Sequence, residues 1–152
     1  GERAANGSLW IVAVQPQASS EGRRCGRGCF GRRNALDDQK RLAKEYYDVV
    51  NAIGQSHKRW ATGIYAIWYP VVNRHDIDDM IKGLKKLDIR NILQIELGVS
   101  ADTNERGMTA SGMIVINPPW KLESQMKEIL PFLKEAIAPA TGHFKVEWIV
   151  PE

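Results

Sequence analysis

The sequence is short of most features that would place it outside a folded, water-soluble domain. No apolar run in its 152 residues approaches the roughly 20 needed to cross a bilayer, and Leu9 to Val14 is too brief for the core of a signal peptide. The two cysteines, Cys25 and Cys29, lie in a Gly/Arg-rich stretch and make no extracellular disulfide framework. The three histidines, His57, His75 and His143, are isolated in sequence, so no close ligand pair forms and a four-ligand metal site is not expected. These absences lead us to expect a soluble, cytoplasmic protein with no membrane segment and no metal. The chain opens on Gly1 without an initiator Met, and reads as a fragment.

What is present suffices for one core. At 43% hydrophobic and 26% charged residues the chain is neither disordered nor fibrous, and its length supports a single domain. The formal charge of +3 is unevenly placed. Arg3, Arg23, Arg24, Arg27, Arg32 and Arg33 face only Glu2 and Glu21 within residues 1–36, so the remainder is close to neutral. The basicity belongs to the first quarter and is weak evidence for a nucleic-acid surface on the main body.

Periodicity divides the chain at the same place. Residues 1–36 have one strand-like run, Leu9 to Val14, followed by an irregular Arg/Gly/Ser-rich leader without a core-forming pattern. Beyond it, Leu42, Tyr46, Val49, Val50 and Ile53 recur at helical spacing, with Asp37 or Asp38 as N-cap and Gly54 as stop. Thr62 to Tyr69 reads as a strand covered on both faces and ended by Pro70. A helix from about His75 to Leu87 follows, then strands at 91–99 and 112–117, a helix at 122–137 and a strand at 144–150. This alternation predicts an α/β domain with a mostly parallel sheet, and the short connection between strands 91–99 and 112–117 allows an antiparallel pair.

Two local motifs invite a chemical reading. Gly26-Arg27-Gly28-Cys29-Phe30-Gly31 matches the G-x-G-x-x-G pattern, but the nearest strand ends at Val14, too far upstream for the glycines to cradle a phosphate at a strand-to-helix turn. Asn117-Pro118-Pro119-Trp120, after the apolar run Met113 to Ile116, resembles the catalytic motif of methyltransferases acting on exocyclic base amines. There a side-chain oxygen and a proline carbonyl orient the amine, and an aromatic ring stacks on the flipped base. Too few elements follow this motif to complete such a sheet, which favours a rigid Pro-Pro exit with Trp120 packed as a hydrophobic lid. Lys58, Arg59 and Arg106 are candidate phosphate contacts, more often simply solvated charges.

Longer segments are more specific. Lys58-Arg59-Trp60-Ala61-Thr62-Gly63-Ile64-Tyr65-Ala66-Ile67-Trp68-Tyr69-Pro70, Ile92-Leu93-Gln94-Ile95-Glu96-Leu97, the run from Arg106 to Glu123 and the ending Trp148-Ile149-Val150-Pro151-Glu152 closely resemble the C-terminal half of the ribosomal RNA large subunit methyltransferase J family, over about residues 42–152. The resemblance implies S-adenosylmethionine as cofactor, 23S ribosomal RNA as partner, methylation of an adenine N6 amine, and the later strands of a Rossmann-like methyltransferase sheet. It also implies that the catalytic motif is an Asp-Pro-Pro-Tyr lying upstream of Lys58. Asn117 to Trp120 would then be a separate family feature.

Counting back without gaps places the catalytic Asp on Asp37, by position only. Asp37 is followed by Asp38-Gln39-Lys40 in place of Pro-Pro-Tyr, and Phe30 to Leu36 do not form the apolar strand that should precede it. Residues 1 to about 36 or 41 therefore read as non-native sequence joined to a genuine C-terminal half, with most of the cofactor pocket missing. Two expectations follow: a catalytically incompetent methyltransferase half, or a non-catalytic RNA-binding or protein-interaction half-domain whose open sheet edge pairs with another chain.

Overall fold

The computed structural model describes residues 9–13, 35–101 and 107–152. In chain order these form β1 (Leu9–Ala13), α1 (Ala35–Arg59), β2 (Ile64–Val71), α2 (Arg74–Lys85), β3 (Ile92–Gly98), β4 (Ala110–Ile116), α3 (Leu122–Ile137) and β5 (His143–Val150). No helix among the described residues is long and apolar enough to cross a membrane.

The five strands share one sheet in the order β1-β2-β4-β3-β5. This corrects the expectation of a mostly parallel, Rossmann-like sheet. Strands β2 to β5 form an all-antiparallel run, and the only parallel pairing among the described residues is β1 with β2. The reason lies in where the chain returns. The α2 crossover sets β3 in the same direction as β2 but two strand positions away, and β4 then folds back into the gap, antiparallel to both. The expected antiparallel pair of β3 and β4 is present, at the centre of the sheet and not at its edge.

Side-chain alternation sorts the core into two layers. Tyr65, Ile67, Tyr69 and Val71 of β2, Ile114 and Ile116 of β4 and Ile92 of β3 meet Tyr46, Val50 and Ile53 of α1 and Ile77, Met80 and Leu84 of α2 in one cluster. The amphipathic patterns of both helices thus face the sheet as their spacing predicts. On the opposite face α3 lies over β3 and β5, with Leu130 buried. A fully buried Ile or Leu contributes about 1.5–3 kcal/mol relative to exposure, and Ile67, Ile77, Leu84, Ile92, Ile114 and Ile116 are all at 0%. The first layer is therefore the main source of stability.

Two boundaries differ from the sequence reading. Helix α1 runs through Gly54 to Arg59, because the glycine marks a close approach and not a stop: a Cβ there would lie 3.1 Å from Leu87 Cδ2. Pro70 lies inside β2, opposite Ser111 of β4. Its carbonyl accepts from the Tyr46 hydroxyl at 3.0 Å, and β1 pairs only as far as Trp68, so the missing N–H opens no gap in the ladder.

Candidate functional site

Each end of the sheet carries a polar construction, and the sequence reading anticipated only one of them. At the end of β4, Asn117 takes a left-handed backbone with φ of 52°, which asparagine tolerates better than most residues. Its side-chain amide donates to the carbonyls of Ala61 at 2.8 Å and Gly63 at 2.9 Å, and its backbone N–H donates to Asn91 at 2.9 Å. Three connections are thereby locked together: α1 to β2, α2 to β3, and β4 to α3. Both amide hydrogens are committed to the protein's own backbone. Asn117 is a structural clamp here and not a free group oriented on a base amine.

The residues after the clamp depart from expectation. Trp120 was expected as a packed lid, yet it is 87% exposed. Pro118 and Pro119 hold φ near −65° and carry the chain outward before α3 begins, where Leu122 N–H donates to the Pro119 carbonyl at 2.8 Å. Trp148 on β5 reaches the start of α3 instead, its indole N–H donating to Glu123 Oε2 at 2.9 Å. The Lys121 ammonium stands 4.6 Å from the centroid of a Trp120 ring. Glu123 also receives Lys127 at 2.6 Å, and these two hydrogen bonds, that of Lys127 first, hold its carboxyl below the usual range.

The second construction lies at the carboxyl ends of β2 and β3. Glu96 is 2% exposed, so its charge requires partners. Arg74 supplies a bidentate pair at 2.8 and 2.9 Å, and the Tyr69 hydroxyl donates to Glu96 Oε2 at 2.9 Å. Gln94 in turn donates to the Tyr69 oxygen at 2.8 Å, and His143 Nε2 stands 4.0 Å from Glu96 Oε1. Local sequence explains each placement. Asn73 caps α2 by accepting from His75 N–H at 3.1 Å, which fixes Arg74 in the first turn. Gly112, opposite Tyr69, and Gly98, opposite His143, leave room where a methyl group would overlap those rings. Burial pushes the Tyr69 hydroxyl far above its ordinary value. Burial also raises Tyr46, with Asp76 and Glu45 adding to the shift, to about 12.

The sequence reading missed this network. The available signal was Gln94 and Glu96 two apart within Ile-Leu-Gln-Ile-Glu-Leu: two polar residues on one face of a strand flanked by helices must find buried partners. The arrangement is closed, since the carboxylate is fully engaged, and it serves to fix the ends of β2, β3 and β5 relative to α2.

The remaining candidates are scattered. Asp37 falls in the first turn of α1, about 14 Å along the helix from Tyr46 and about 33 Å from Arg59. The Asn117 clamp and Asp37 therefore lie towards opposite ends of α1, and the fold does not bring the two candidate motifs together. His57 ends α1, and His75 approaches Asp79 at 3.4 Å on the surface of α2. Among the described residues no three His, Cys, Asp or Glu side chains form a metal-binding group. Cys25, Cys29, the glycine motif and Arg106 lie outside the described residues. Two clefts open on described residues. One of about 520 Å³ lies between α1 and α2, beside Tyr46, Asp76 and Met80, and one of about 200 Å³ lies beside His57, Lys58 and Ile89.

The chain can now be set beside known proteins. Residues 32–150 match the family model described as "Ribosomal RNA large subunit methyltransferase D, RlmJ". Over 118 residues the chain is 57% identical to Ribosomal RNA large subunit methyltransferase J of Escherichia coli (strain K12), and 56% identical to the protein of that name from Haemophilus influenzae. In each case the alignment covers 77% of this chain and 42% of the relative, so the chain spans under half the length of the curated relatives it matches. A crystal structure of a Legionella pneumophila protein is also similar, with a TM-score of 0.64 and 30% identity over 70% of this chain and 39% of that one. With the matched span running from before α1 to the last residue of β5, the chain belongs to the RlmJ family of ribosomal RNA large subunit methyltransferases.

Proposed function

We propose that this chain supplies the C-terminal portion of an S-adenosylmethionine-dependent methyltransferase that modifies an adenine N6 amine of 23S ribosomal RNA in the cytoplasm, and that it does not turn over alone. The observation that carries the reading is the 57% identity to a named large-subunit methyltransferase, confined to 42% of that protein's length. Asp37 holds the position of the catalytic carboxylate by count. The residues around it do not fit the cofactor: Asp38-Gln39-Lys40 stand where a Pro-Pro-aromatic turn is required. No catalytic step is therefore routed through Asp37.

Calorimetric titration of the chain with S-adenosylmethionine, followed by methyl transfer to undermethylated 23S RNA, tests the proposal. We expect neither a binding isotherm nor methylated product from the chain alone, and methylation once the missing family portion is added. Cofactor binding with turnover by the chain alone overturns the claim of incompetence; failure of the supplemented protein to methylate overturns the assignment.

A second reading, a non-catalytic half-domain that pairs with another chain, is favoured by one feature. Helix α3 exposes Ile129, Phe132 and Ile137, at 44%, 73% and 58%. We also read residues 1 to about 36 or 41 as sequence foreign to the family. Support comes from the change of composition and, for residues 1–31, from a family match that starts at residue 32.

A further inference from the structure

We propose that the end of the sheet carrying Trp120 and Lys121, beyond the last residue of β4, is a docking surface for an unpaired stretch of RNA, with the Trp120 indole as a base-stacking platform. The proposal rests on the reading of RNA as the substrate, and assigns to this end of the sheet a role that the catalytic motif does not explain.

The first observation is the indole itself. A tryptophan 87% exposed on a rigid Pro-Pro turn is held out of the core by its backbone, with the Lys121 ammonium 4.6 Å from a ring centroid and the rest of the ring open to solvent. Every base has a π face, so the ring face that Lys121 leaves open accepts nucleotides without regard to sequence, and the ammonium over the other face adds a positive charge to the platform.

The second observation is independent of the first. By bonding to Ala61, Gly63 and Asn91, the Asn117 clamp gathers two further chain segments at this end of the sheet. One ends in Lys58 and Arg59, the other begins at Arg90, and all three side chains are exposed. Among the described residues none of Lys58, Arg59, Arg90 or Lys121 has a carboxylate partner. Asp88, Glu123 and Glu152 are the acids nearby in sequence, and Glu123 is occupied by Lys127 and Trp148. The main body is near neutral, so these four cations are a local concentration and not a share of a general positive surface.

This surface lies at the C-terminal end of α1, where that helix hands over to β2. An exposed aromatic ring with one cation against it, on a surface that carries three more cations unpaired among the described residues, suits a polyanion with π faces better than an apolar protein partner.

Fluorescence anisotropy of a fluorescein-labelled oligoadenylate, titrated with the whole chain at several salt concentrations, tests this. Trp120→Ala is expected to weaken binding about tenfold or more, and Trp120→Phe to retain most of it. Arg59→Ala and Lys121→Ala are each expected to lower the slope of log affinity against log salt by about 0.7. Trp120→Ala binding within twofold of the parent overturns the stacking role while leaving the methyltransferase reading intact. Displacement of the RNA by oligoglutamate as readily as by unlabelled oligoadenylate also overturns it, marking a generic polyanion surface. No binding by the parent chain overturns the docking surface outright, and the methylation assay above then decides separately whether the RNA substrate stands.

Discussion

At the scale of single residues, the decisive fact is a carboxylate buried inside the sheet against an arginine. Glu96 contributes little net stability as an ion pair, because desolvation offsets most of the attraction, but removing one partner leaves the other uncompensated. We expect Glu96→Ala to cost about 3 kcal/mol, towards the low end for buried pairs because Arg74 keeps 32% of its side chain exposed. The double variant Glu96→Gln with Arg74→Met should recover much of that loss. Urea unfolding with an unchanged slope checks both, and equal destabilisation by the single and double variants would count against the network. The pattern of polar residues in β3 was legible as an anomaly. Its solution was not, since Arg74 and Tyr69 are 22 and 27 residues away and only the folded sheet brings them together.

At the scale of elements, Asn117 converts three loops into one unit. Asn117→Ala loses two side-chain hydrogen bonds, each contributing about 1 kcal/mol, and places a residue with a Cβ and no local polar compensation at a φ of 52°. Asn117→Gly restores the backbone freedom but not the bonds. We expect amide exchange at Gly63, whose N–H donates to Trp60 at 3.2 Å, to accelerate in both variants while amides within β4 keep their protection. Unchanged exchange at Gly63 would show that the clamp does not hold this connection. Helix faces were readable in advance from apolar spacing alone: Tyr46, Val50 and Ile53 face inward as expected. Element ends were not. Gly54 and Pro70 act locally as breakers, but here Leu87 packs against the first and Tyr46 bonds the second, so both remain inside their elements.

At the scale of the molecule, the apolar side chains left uncovered are concentrated on the α3 layer. Helix α3 buries Leu130 against β3 and β5, whereas Phe132 and Ile137 point away, and β5 is only partly covered along its length. An exposed apolar helix face drives association in water. We expect the chain to self-associate with rising concentration, and Phe132→Glu to shift the population towards monomer without lowering the thermal midpoint. Sedimentation velocity over a concentration series measures this, and identical distributions for both proteins would remove α3 from the contact.

By itself the sequence determined what depends on neighbours a few positions apart. The helix faces, the buried strands, the abrupt change after the arginine-rich leader and the family to which residues 32–150 belong were all present in local order. The tertiary structure alone decided strand order and direction, because β4 fills a gap that exists only once β2 and β3 are in place. It also decided which polar residues satisfy one another, and that Trp120 stands open to water where a packed lid was expected. Each of these depends on long-range geometry, in which residues far apart in the chain compete for the same space and the same hydrogen bonds. No periodicity in the sequence records the outcome of that competition.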